Sequence, residues 1–463
     1  MGALYQGQAN RTQRAESQFG GGLNNGTAPF EIGDNESAEE YGFDTDQLPA
    51  LTVRKGRTSY GSSGGAATLL LTNFARQQMV RAVGGTLQYD AGAGSWTNIG
   101  SYTAAEWDAT NFNDKLYLVN GTDKIKWDGS TASAIGGSPP AGAKFITNDN
   151  VRLWLAEGDT IYFSKFQDGD NWTAAEDSGS VQYYTPNGGY ITALREFYGD
   201  KWVWKRDSMA VIKGTSYFNF ALVSVSNDIG CVSGKTVVEV GDTLFWLGEH
   251  DVYAHQGGKP SPVGEKVRGW LNKINWNAID KACAFTDGLK YYLCIPTGGS
   301  SEPDVRLVYD PRVNIWREAN TNENYRRGWQ FAGKVYAGDA AGQVWTVNNG
   351  ETDNGGSITW GLTTGVFDEG YPEAEKQYKE LHLQGVFPTG SSVSVEYSTD
   401  QGATWRTISY SGPPASTAAA NRNFIIPLDT LPLTNYAQFR IYGSGRVTIL
   451  QMQRYFKVCR VQR

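Results

Sequence analysis

Histidine is nearly absent from this chain of 463 residues: there are three, His250, His255 and His382. The four cysteines, Cys231, Cys283, Cys294 and Cys459, form no Cys-x-x-Cys pair. That removes the usual zinc donor sets, and His250-Asp251 with His255 on one aromatic hairpin is a poor metal cluster. No metal or other cofactor is expected. No run approaches the roughly 18 apolar residues of a membrane helix, so no membrane insertion is expected either. The opening MGALYQGQANRTQRAESQ lacks the apolar core of a secretion signal. Basic residues are outnumbered, 41 against 48 acidic, for a net charge of −7, which disfavours a nonspecific nucleic-acid binder. The Gly-rich runs GGGLNNG and GSSGGAA have neither a Lys-Ser/Thr ending nor a following helix, so neither reads as a phosphate loop.

What is abundant is glycine and aromatics: Gly 56, Trp 15, Tyr 25 and Phe 19. Together they describe a turn-rich all-β protein long enough for two or three domains. The stretch Gly241–Gly258, GDTLFWLGEHDVYAHQGG, is the clearest unit: a turn, an aromatic strand, a second turn and a second aromatic strand. It recurs at Asp114–Gly129, Asp149–Phe163, Asp200–Gly214, Asp287–Ile295 and Gly333–Val347, with a weaker copy at Met79–Asp90. The openings fall roughly 35–50 residues apart, the period of propeller blades. One four-stranded blade cannot cover its own faces, so blades must stack about an axis. The expected fold is all-β: a six- or seven-bladed β-propeller over 61–350, preceded by an extended N-terminal arm over 1–60 and followed by a C-terminal β-sandwich of short strands over 351–463. Asp-to-Trp punctuation, as in Asp90 before Trp96 and Asp310-Pro311 before Trp316, is expected to serve turns and inter-blade packing.

Cys283 and Cys294 flank the Asp287-Gly288 turn. A two-residue hairpin there would set Cys283 opposite Tyr292 and leave Cys294 off register, too far for a disulfide. Four buried thiols in a reducing cytoplasm are expected.

Ser398–Trp405, STDQGATW, matches the Asp-box. Ser398, Asp400 and Gly402 should build a hairpin turn, with Trp405 anchored in the core and no catalytic atom among them. At the N-terminus, 31–46 carries seven acidic side chains and no basic one. Low apolar content and high charge argue for a segment ordered only by what it lies against. Phe19, Leu23, Phe30, Ile32 and Tyr41 are spaced along the N-terminal arm as apolar anchors, a candidate assembly arm. The order Phe19-Gly-Gly-Gly-Leu23-Asn24, then Pro29 with Ile32, Asn35-Glu36, and Leu51-x-x-Arg54-x-Gly56 resembles the N-terminus of tailed-bacteriophage structural proteins of the tail nozzle or tail tubular propeller type. The resemblance is specific over about forty residues, and the later layout agrees with it.

That resemblance implies a structural virion protein of the tail, made in the host bacterial cytoplasm. It implies a homomeric ring, sixfold by analogy, contacting other tail or head–tail connector proteins while genomic DNA passes without specific binding. The basic C-terminus, with Arg454, Lys457, Arg460 and Arg463 and no acid, is a candidate strip for an acidic partner or else a solvated strand edge. Two other readings stand beside this one: a carbohydrate-binding propeller used in host recognition, and a propeller glycosidase. For the last, Asp200, Asp242, Glu249 and Asp287 all fall at turns. Arg195, Arg206, Arg268, Arg326 and Arg327 form no ordered set. No catalytic residue is assigned and no enzymatic activity is expected.

Overall fold

The computed structural model describes residues 12–75, 77–320, 323–410 and 422–461. Pro413–Ala420, whose sequence PPASTAAA reads as a loop of the sandwich, and Arg463 lie outside them. Seven four-stranded antiparallel sheets follow one another along 57–347. The first strands line the axis, most of them in contact with the next: Thr68–Phe74, Asp108–Phe112, Phe145–Asn148, Ala193–Phe197, Val238–Val240, Cys283–Thr286 and Tyr325–Phe331. We number the sheets as blades 1 to 7 in that order. The propeller is therefore seven-bladed. Blade 7 takes its outermost strand, Arg57–Tyr60, from before blade 1, in register with Val344–Val347. This closes the ring non-covalently and removes the free edge.

The second strand of a blade has a neighbour on both faces, and its sequence shows it. LYLV (116–119), LWLA (153–156), WVW (202–204), LFWL (244–247) and YYLCI (291–295) are apolar without alternation, and nearly all of these side chains are buried. Aromatic rings then fill the wedges between blades. Trp204 of blade 4 meets Trp246 of blade 5 edge-on at 5.5 Å, and Phe245 meets Tyr291 of blade 6 at 5.5 Å. Asp side chains hold the turns: Asp90 accepts from Gly92 and Gly94 N–H, and Asp339 from Ala341 and Gln343.

The remaining strands make two six-stranded sheets that pack as a sandwich. Seven of the twelve come from 359–461, including the long Ala374–Val386 and Thr448–Val461. The other five come from the N-terminal segment: Gln13–Ser17, Gly22–Leu23, Glu36–Tyr41, Phe43–Asp44 and Leu51–Val53. The extended arm expected over 1–60 is thus corrected. Its residues from Gln13 to Val53 complete the sandwich, and Arg57–Tyr60 belongs to the propeller. The physical cause is the acidic run itself, whose charges are met within the chain. Glu36 pairs with Lys266 at 2.8 Å, Glu40 with Arg317, and Asp44 and Asp46 with Lys290. Phe19 enters the sandwich core beside Trp360 and Phe439. Leu23, four residues on, enters the cluster of blades 5 and 6 with Val267 and Trp316.

Three further expectations need correction. Cys283 lies directly opposite Cys294, because the turn is four residues, Asp287–Lys290, rather than two. Both thiols are free. Cys459 is exposed rather than buried. Trp405 is half-buried, capped by Arg440 at 4.1 Å, rather than set in the core. The Asp-box turn itself is formed: Asp400 accepts from Ser398 Oγ and Thr404 N–H, and Gly402 N–H donates to Ser398 Oγ.

Candidate functional site

Two arrangements gather charged side chains away from solvent: the joint between sandwich and propeller, and the propeller axis. The joint is built from the residues that carry the N-terminal resemblance. Gly22 has φ +77°, and a Cβ there would lie 2.2 Å from Ile315 Cγ2 and 2.7 Å from the Trp316 carbonyl. Only glycine lets the segment lie this close to blade 6. Asn24 donates to Glu36 at 2.7 Å. Arg54 makes a two-pronged contact with Asp353, at 3.0 and 2.8 Å, and approaches Glu323 at 3.3 Å. Glu323 in turn meets Arg306 at 2.7 Å. Arg317, on the outer strand of blade 6, holds both Glu40 and the Phe19 carbonyl.

Of the five proposed arm anchors, Phe19, Leu23 and Ile32 are buried. Tyr41 is half-buried against Gly361. Phe30 is 48% exposed and meets Tyr436 edge-on at 5.4 Å. The basic strip is not one surface. Along Thr448–Val461 the side chains alternate, and Arg454 shares the inward face with Met452 and Phe456. It is fully buried, paired with Glu369 at 2.7 Å, with its guanidinium against the Phe367 ring. Arg454 therefore cannot serve a partner. Lys457 lies on the opposite face, half-buried. The backbone of Arg460 pairs with Glu375, its side chain lying outside the described set.

Along the axis, two cavities of about 650 and 510 Å³ meet at a waist formed by Trp107, Asp108, Arg195, Lys235 and Arg327. Three of the five arginines that formed no ordered set in the sequence, Arg195, Arg326 and Arg327, converge here. Arg206 and Arg268 do not; they pair at the surface with Glu249 and Asp251. Glu106, just before the inner strand of blade 2, is gripped by Arg326, by Arg327 at 2.7 Å and by Lys235 at 2.9 Å. Burial alone would raise its pKa, but Arg327, Lys235 and Arg326 overcome that and hold it at about 2. Asp108 receives Arg195 at 2.8 Å and the Ile146 N–H at 3.0 Å. Burial, aided by the two arginines and opposed by Glu106, brings Lys235 down to about 8.

Of the carboxylates expected at turns, Asp242, Glu249 and Asp287 lie at turns, and Asp200 opens the strand Asp200–Trp204. Asp200 pairs with Lys213, Glu249 with Arg206, and Asp287 accepts from Tyr292. They form no facing pair. No cluster of three or more metal-ligating side chains occurs among the described residues, and no helix there is long and apolar enough to cross a membrane. Sequence reasoning missed Glu106, Trp107, Asp108 and Lys235. They lie in or beside inter-blade linkers, where no periodicity marks them. The one available signal was their position just before an inner strand.

No family model matches the sequence, and no curated protein matches it. Solved structures share the β-propeller layout. The extracellular domain of BT4673 from B. thetaiotaomicron is 9% identical with a TM-score of 0.48, covering 64% of this chain and 40% of that one. BamB from Moraxella catarrhalis is 13% identical with a TM-score of 0.39, covering 67% and 97%. This chain thus spans well under half of the BT4673 domain. At these identities the likeness concerns fold and bears on no functional point.

Proposed function

We propose that this chain is a structural subunit of a bacteriophage tail, a nozzle or tail-tube-end protein that assembles as a ring, sixfold by the resemblance. The observation that carries the reading is the place of the N-terminal motif. Gly22, Asn24, Glu36 and Arg54 lie where the sandwich meets the propeller, tying the two lobes together. A two-lobed block tied in this way suits the wall of a conduit. The acidic balance supports passage of DNA without adhesion, because phosphate is repelled rather than neutralised. Ring contacts with its own copies and with other tail or head–tail connector proteins would use the exposed faces rather than a free arm. A carbohydrate-binding propeller is the second reading, favoured by Tyr184 and Tyr190, both exposed in the loop that follows Gly179–Gln182, with Tyr190 at the chamber mouth.

The test is paired. Purified phage particles should contain the 50.7 kDa chain in the tail, located by antibody labelling. Duplex DNA titrated at about 50 mM salt should bind more weakly than micromolar, since tight binding needs counterion release by basic arrays. Submicromolar binding, or absence from the tail, would remove the conduit reading.

A further inference from the structure

The larger axial chamber has a composition that the ring reading does not use. Its lining carries four cations, Lys144, Arg195, Lys235 and Arg327, against three carboxylates, Glu106, Asp108 and Asp280. Apolar walls come from Trp107, Ile191 and Val232, and Tyr190 stands at the lip. At about 650 Å³ it has the size of a small-molecule site.

Lys144 is exposed at the mouth, where water meets its charge, so the balance is decided by the buried groups. Asp108 occupies Arg195, and Arg327 is spent on Glu106 and on the Leu69 and Trp107 carbonyls. Lys235 is different. Its side chain is 10% exposed, and its ammonium meets Glu106 at 2.9 Å, on the oxygen that Arg326 also holds. At most one of its three N–H donors is thus spent and the others are held out of bulk water, an arrangement that costs free energy unless an acceptor arrives. Glu106 already shares its single charge among three cations. One further negative charge, delivered from the chamber side, would balance the lining.

We propose that the axial chamber binds a small organic acid, its carboxylate on Lys235 and its body against Trp107, Ile191 and Val232. Carboxylate is favoured over phosphate because the lining is short of one negative charge, not two, and because the walls beside Lys235 are apolar. A dianion would be overcharged there. The proposal rests on the chamber alone and stands whether or not the chain forms a ring.

The experiment is isothermal titration of the full chain with three probes: D-glucuronate, D-glucose as its neutral counterpart, and inorganic phosphate. Glucuronate should bind, glucose should give no heat at the same concentration, and phosphate should bind more weakly than glucuronate. Lys235→Met removes the charge while keeping the stem, and should weaken glucuronate at least about tenfold, the loss expected for one buried charged partner. Lys144→Gln, at an exposed position on the mouth, should fold normally and weaken it about two- to threefold. It keeps the test decisive should Lys235→Met fail to fold. Equal binding of glucose and glucuronate, tighter binding of phosphate, unchanged affinity in both variants, or no heat with glucuronate at about 10 mM would each overturn the proposal.

Discussion

Replacing Arg317 by methionine tests the joint most sharply. Arg317 and Glu40 are 1% and 0% exposed, and face each other across the boundary between blade 6 and the sandwich. Arg317 also donates to the Phe19 carbonyl at 3.2 Å, and the second Glu40 oxygen has no hydrogen-bond partner of its own. Methionine fills much of the same volume but leaves a buried carboxylate with no countercharge. Removing one partner of such a pair costs about 3–5 kcal/mol, and the stranded Phe19 carbonyl adds about 1 kcal/mol. Replacing both, Glu40→Leu with Arg317→Met, removes the uncompensated charge and should return most of that loss. Denaturant unfolding of wild type, both single variants and the double closes the cycle, and the coupling should exceed about 2 kcal/mol. An Arg317→Met variant within about 1 kcal/mol of wild type, or a double variant worse than the two singles summed, would refute the claim that this pair closes the joint.

Deleting residues 1–40 removes the strands Gln13–Ser17 and Gly22–Leu23 and most of Glu36–Tyr41, so the truncated chain should aggregate or lose the sandwich, read by near-ultraviolet circular dichroism and limited proteolysis. A stable folded monomer would mean the segment is dispensable. Glu106 has its folded pKa held below the ordinary carboxylate value of 4.5, at about 2. Its contribution is therefore present above the unfolded pKa and lost as pH falls through that interval. With the side chain a third exposed, screening reduces this to about 1–2 kcal/mol. The stability difference between wild type and Glu106→Gln should shrink over the same interval, and a constant difference would contradict the pairing. Under native, non-reducing conditions Cys459 alone should react with a thiol reagent, with all four thiols appearing after denaturation. Two reactive thiols in the denatured chain would reveal a bridge between Cys283 and Cys294.

The propeller was legible because its second strands are buried on both faces, so runs such as TLFWL and KLYLV print the repeat directly. The blade boundary at the closure was not. Arg57–Tyr60 reads RTSY, a polar outer strand whose partner lies nearly three hundred residues away. The N-terminal segment was misread for a related reason. Low apolar content argues for disorder when charges are solvated, but the basic partners here, Lys266, Lys290 and Arg317, come from distant blades. The strip at the C-terminus could have been divided by parity alone, since Arg454 and Lys457 are three residues apart on a strand and must point to opposite faces. The axial charges had no local signature: Glu106, Lys235 and Arg327 are brought together only by the rotation from blade to blade.

The proposed function makes this two-lobed chain the repeating unit of a tail ring. Electron microscopy of the purified full-length protein, with particle mass measured on the same sample, tests it most directly. Closed rings of one size, six subunits each, are the predicted result. Uniform monomers at concentrations up to about 10 µM, well above those at which stable interfaces hold, would contradict it.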